Sequence, residues 1–120
     1  MSQASVSFAD GLGCYDDTIE LIRSPEKGAA VALALGGRKA VLMRNHGVGV
    51  VGASIEEATM LTILLESACQ IQLAAMAAGG VGPLFGQVLV DRLHRNVTVA
   101  EAYTINFSYL RRKLDRKGAA

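Results

Sequence analysis

Histidine is scarce in this chain: two among 120 residues, His46 and His94, with no His-x-His pair. A catalytic zinc usually takes three protein ligands and keeps a fourth position open, so one imidazole cannot make such a site. Tryptophan is missing and aromatic residues amount to 5%, which excludes a base-stacking platform for single-stranded nucleic acid. Neither sign of charge prevails: 12 Lys and Arg against 11 Asp and Glu give a formal +1. No overall field recruits nucleic acid or an acidic partner, which leaves small molecules or self-association. Cysteine is confined to Cys14 and Cys69, without CxxC spacing, and both read as reduced thiols of a cytoplasmic protein. The N-terminus lacks the basic and apolar regions of a secretory signal, so the sequon Asn96-Val97-Thr98 carries little weight. The longest charge-free stretch, 67–90, is interrupted by Gln70, Gln72, Gly79, Gly80, Gly82 and Pro83, and this argues against a membrane span.

What is abundant is apolar: 51% of residues are hydrophobic, enough for one compact core in a chain of this length. No repeat or linker divides it, so residues 1–120 are expected to form one unit with a weak break at "GGVGP". Residues 1–14 are poorly patterned and read as a loose leader or a severed end. "SPEKGAAVALALGG" predicts a helix with Ser24 as N-cap, Pro25 in first position and Gly36-Gly37 as the stop. Its apolar face is expected to hold Ala29, Val31, Ala32 and Leu35. "KAVLMRN" and "VGVVG" are short apolar runs that read as strands, and Asn45-His46-Gly47 then turns a buried hairpin.

The segment "SIEEATMLTILLESACQIQLAAMAAGG" predicts a long helix, with a capping box from Ser54 and Glu57 and a stop at Gly79-Gly80. Its apolar residues surround the axis, which implies burial on several sides by the sheet and by another subunit. A last helix is expected from Thr98, capped by Thr98 and Glu101, to about Lys117, with Val99, Tyr103, Phe107, Leu110 and Leu114 on its apolar face. His94 then falls between two helices, where Arg92 and Arg95 disfavour a metal role. The closing "RRKLDRK" suits a solvated helix end whose cations complement the helix dipole, with phosphate or partner contact as the rival reading.

The stretch 37–80, "GRKAVLMRNHGVGVVGASIEEATMLTILLESACQIQLAAMAAGG", joins an apolar strand, Arg-x-His-Gly, a Val-rich strand, a Ser-x-Glu-Glu-Ala helix start and Leu-Glu-x-x-Ala. This pattern resembles the C-terminal half of the class II aldolase/adducin family. "CYDDTIELIRSPEKGAAVALALGG" is similar to the segment that precedes that strand in the branch that decarboxylates hydroxylated aromatic acids. The resemblance implies an α/β fold, a three-layer sandwich whose mainly antiparallel sheet is flanked by helices. It further implies a cyclic tetramer with sites between subunits, incomplete in this chain at the N-terminus.

It also implies zinc, or another divalent metal, held by a His-x-His pair from the N-terminal half and by the histidine of the His-Gly turn, which is His46 here. Because this sequence has no such pair, the missing ligands would have to come from another chain or from an upstream segment. The implied chemistry is metal-assisted cleavage of a carbon–carbon bond in a small hydroxy-carbonyl or hydroxy-carboxylate compound. Aldol cleavage, decarboxylation and epimerisation remain open. Arg44 and Asn45 would face an anionic substrate or, for Arg44, turn outward. Glu66 would be a structurally paired carboxylate or a support for the metal ligands. Tyr103 would be a proton donor or part of the apolar face of its helix. The rival to an enzyme fragment inactive by itself is a non-catalytic, adducin-like module for oligomerisation or scaffolding.

Overall fold

A computed structural model describes residues 2–80, 82 and 85–118; Val81 and Pro83 of the expected break lie outside them. The described residues form two compact units, 10–51 and 1–9 with 52–120, where one core was expected.

The first unit is a strand–helix–strand crossover followed by a hairpin. Strand β1 is Gly13–Tyr15, helix α1 Pro25–Leu35, strand β2 Ala40–Met43 and strand β3 Gly47–Val50. The sheet has the order β1-β2-β3 and is mixed. β1 runs parallel to β2, Gly13 opposite Val41 and Tyr15 opposite Met43; β3 runs antiparallel, Val48 opposite Leu42. Both directions follow from the connections, since a helical crossover returns the chain parallel and a tight turn returns it antiparallel.

Helix α1 starts and stops at the expected caps. Ser24 accepts from the Lys27 backbone N–H, Pro25 takes the first position, and Gly36 closes the helix at φ 57°. Its inner face is Lys27, Gly28, Val31, Ala34 and Leu35, all half-buried, and differs from the expected one, because Ala29 and Ala32 are exposed. The face is set by β1. A Cβ on Gly13 would lie 2.4 Å from the Ala34 carbonyl oxygen and 3.1 Å from the Leu35 Cα, so the helix backbone rests directly on the strand. Tyr15, Ala40 and Val41 are buried in this unit. The hairpin is less buried than expected: β3 is exposed or half-exposed along its length, because among the described residues it is an edge strand.

The second unit is helical: a short 3-10 helix Ala4–Phe8, then α2 Ile55–Ala77, α3 Gln87–Val97 and α4 Ala100–Gly118. The expectation of a loose leader fails at residues 4–8, where Val6, Ser7 and Phe8 are buried, and again at β1. Three residues of alternating burial and one 3-10 turn are too short to show a period in sequence. Ser54 caps α2 by accepting from the Glu57 N–H at 3.2 Å, and Glu57 accepts from the Ala53 N–H at 2.7 Å. After the C-cap Ala78, the Gly80 N–H returns to the Ala75 carbonyl at 2.9 Å, the stop expected there.

Two features of this unit correct the sequence reading. Only Leu61 and Leu65 of the 23 residues in α2 are buried, because within its unit the main packing partners of the helix are the 3-10 helix and α4. Ile55, Ile71, Leu73 and Met76 are half exposed or more. By length and composition α2 also meets the requirements for crossing a bilayer, as core helices do. Secondly, Thr98 does not open the last helix. Its hydroxyl donates to the His94 carbonyl at 2.7 Å and closes α3, so α4 begins at Ala100. The hydroxyl had a choice of partner, and the preceding turn satisfies it. Of the face expected on the last helix, Leu114 is 68% exposed while Tyr103 is 6% exposed.

The Glu56 carboxyl is held below the ordinary glutamate value by its own backbone N–H and by the Ser54 hydroxyl. Its contribution is therefore present above the unfolded value and is lost as pH falls through the lower folded one. Acidification should fray the start of α2, with the protection factors of the Glu56 and Glu57 amides falling. Gly13→Ala should destabilise the first unit by at least about 1–3 kcal/mol through overpacking. Gly28→Ala, with nothing within 4 Å of its Cβ, should stabilise by about 0.5–1 kcal/mol; urea unfolding checks both.

Candidate functional site

The turn at 44–46 joins β2 to β3 and carries His46. Its geometry is fixed from both strands. The His46 N–H donates to the Met43 carbonyl at 3.0 Å, closing the turn across Arg44 and Asn45. Asn45 adopts φ 55°, in the left-handed region, which Asn tolerates better than most residues with a side chain. Gly47 follows at φ 147°. The sequence pointed to glycine for this freedom; the structure divides it between Asn45 and Gly47.

Arg44 is held by β1. Its N–H donates to the Tyr15 carbonyl at 2.9 Å, which prolongs the parallel ladder by one bond. Its guanidinium pairs with the Asp16 carboxylate at 3.2 Å, both side chains more than half exposed. Asp16 is a partner for Arg44 that sequence reasoning missed. The acidic pair Asp16-Asp17 stands in the sequence, but its register against the hairpin does not. His46 is exposed, on a three-residue turn anchored at Arg44 and closed by its own N–H.

The other expected site residues lie in the helical unit. Glu66 is exposed on α2 and accepts from the Gln70 amide at 2.8 Å, a pairing one helical turn apart. Tyr103 is buried on α4, beside a cavity of about 410 Å³ that Met60, Leu64, Ser67 and Asn106 also line. His94 is inside α3 and not between helices. Its ring Nδ1 lies 2.8 Å from the Val6 carbonyl and donates to it, which fixes the tautomer and ties α3 to the 3-10 helix. The structure therefore brings Arg44, Asn45 and His46 together on one turn, gives Glu66 a partner one helical turn away and gives His94 a distant one in Val6.

A metal was tested against these donors. Among the described residues no group of three His, Cys, Asp or Glu side chains gathers. Asp16 is engaged by Arg44, and Cys14 and Cys69 are free thiols in separate units. The donors present do not fit a metal held by this chain alone.

A sequence profile described as the class II aldolase and adducin N-terminal domain matches residues 1–73. The chain belongs to the class II aldolase and adducin family. It is 38% identical over 99 residues to the meiotically up-regulated gene 14 protein of Schizosaccharomyces pombe, covering 82% of this chain and 35% of that one. To the decarboxylase NovR of Streptomyces niveus it is 34% identical over 79 residues, 66% of this chain and 29% of that one. The solved structure of L-fuculose 1-phosphate aldolase from Glaciozyma antarctica is similar with a TM-score of 0.70 and 28% identity, over 89% of this chain and 39% of that one. The fold is therefore class II aldolase-like, in a family of lyases. The chain spans about a third of the length of the curated relatives it matches.

The two histidines should separate in stability measurements. His94→Ala removes a hydrogen bond and leaves the Val6 carbonyl short of a donor, a cost of about 1 kcal/mol or more. His46→Ala, at an exposed position, should stay within about 0.5 kcal/mol of the parent in urea unfolding.

Proposed function

We propose that this chain contributes the hairpin-turn portion of a carbon–carbon lyase acting on small hydroxy-carbonyl or hydroxy-carboxylate compounds. In this reading His46 is one donor to a divalent metal whose other donors come from polypeptide outside these 120 residues. The observation that carries it is the exposed His46 on a turn closed by its own N–H and anchored to β1 through Arg44. A loop held by a rigid scaffold is where a ligand or catalytic side chain is effective. Likeness to a decarboxylase and to an aldolase supports the class of reaction, and the resemblance of residues 14–37 to the branch that decarboxylates hydroxylated aromatic acids leans the substrate towards such an acid. Arg44, partly neutralised by Asp16, would meet a carboxylate only on releasing that partner. Tyr103, 6% exposed, serves packing in this reading, and its use as a proton donor would require the phenol to become accessible. The chain by itself is inactive in this reading, and acts when self-association or a second chain supplies what it lacks.

A second reading is favoured by a separate observation. With two of 23 residues buried, α2 leaves an apolar surface uncovered, as an association module would. The adducin branch of the family fits that use.

Zinc content of the native chain, measured by elemental analysis on size-separated protein beside His46→Ala, decides between them. Near-stoichiometric zinc that the variant loses supports the lyase reading, with the site completed between copies. No zinc in either sample rules out a site completed between copies of this chain and favours the association module.

A further inference from the structure

Between α2 and α4 lies a second groove, of about 440 Å³, whose floor is Ile63, Phe107, Leu110 and Leu114 and whose lining includes Arg111, Lys113 and Lys117. Its size falls within the range of small-molecule sites. Its chemistry is divided: four apolar side chains, three cations and no carboxylate among the lining residues. Leu114 is 68% and Ile63 41% exposed, so the floor is open to solvent and costs free energy while uncovered. Arg111, Lys113 and Lys117 form no ion pair among the described residues. Two of the five cations in 111–117, Arg112 and Arg116, lie outside this lining, so compensation of the helix dipole does not by itself explain why three border an apolar floor.

We propose that this groove binds a single-chain amphiphilic carboxylate, its hydrocarbon part on the apolar floor and its anionic head among the three cations. The apolar contact supplies affinity without direction, and the cations exclude a neutral or positively charged amphiphile. From Phe107 to Lys117 helix α4 rises about 15 Å, a length comparable to an extended chain of about twelve carbons. The site is distinct from the His46 turn, and it stands whether or not the lyase reading does.

The test titrates the 120-residue chain with dodecanoate below its micelle concentration by calorimetry, beside dodecanol and the variant R111Q/K113Q/K117Q. These three side chains are exposed, and circular dichroism checks that the variant keeps its helix content. Saturable one-to-one binding is expected for dodecanoate, with affinity at least tenfold lower for dodecanol and for the variant. The methyl resonances of Ile63 and Leu110 should shift during the titration. Equal affinity for acid and alcohol, unchanged binding by the variant, or unmoved Ile63 and Leu110 methyls would each overturn the proposal. So would an assembly that excludes dodecanoate until dilution dissociates it, which would make a second copy the occupant. Association with phosphatidylserine vesicles in the absence of saturable dodecanoate binding would likewise overturn it, in favour of a membrane surface.

Discussion

The arrangement of the hairpin depends on the close approach of α1 to β1 at Gly13. With no side chain there, the helix backbone at Ala34 and Leu35 comes within van der Waals distance of the strand. That contact lets a short crossover place β1 parallel to β2. It brings the Tyr15 carbonyl to the Arg44 N–H and Asp16 to the Arg44 guanidinium. A turn that would otherwise hang from a two-stranded hairpin is thereby anchored at its first residue. Fixing the position of His46 is a consequence of a glycine thirty-three residues earlier.

This explains which parts could be read in advance. The caps of α1 and α2 rest on residues within one turn of each other, Ser24 with Lys27 and Ser54 with Glu57, and such signals stand in the sequence as they stand in the fold. The hairpin is similarly local. β1 is three residues long and exists because of a pairing with residues about 28 positions away; nothing in "GCY" itself announces it. The 3-10 helix at Ala4–Phe8 is equally dependent on distant partners, among them His94 of α3. At Thr98 the signal was local but ambiguous: a hydroxyl between two helices can cap the one that follows or close the one before, and spacing alone does not rank the two.

The candidate site divides along the same line. Arg44, Asn45 and His46 share one turn, and their proximity is a property of sequence. Glu66 was expected to have a partner or an exposed edge on the premise that α2 is buried all round, and it has both. Being exposed, it incurs little desolvation and is content with Gln70 at the next turn. Tyr103 was assigned to an apolar face or to proton transfer, and its burial favours the first. Resemblance to a family fixes which chemistry a residue type serves in relatives, while burial and partners decide whether this chain offers that residue to a ligand.

Helix α2 shows how far hydrophobicity and burial can part. Apolar on all sides, it packs within its unit mainly against the 3-10 helix and α4, and two helices cannot cover the circumference of a third when one is a single short turn. The uncovered surface includes Ile55, Ile71, Leu73 and Met76. Folding energy is forgone at each of them unless a further surface removes them from water. A sequence retaining such residues, while still capping the helix correctly at both ends, specifies the element independently of what covers it. The two are separable because different residues carry them: Ser54, Glu57 and the glycines after Ala78 fix where the helix starts and ends, and the apolar side chains between them take no part in either end.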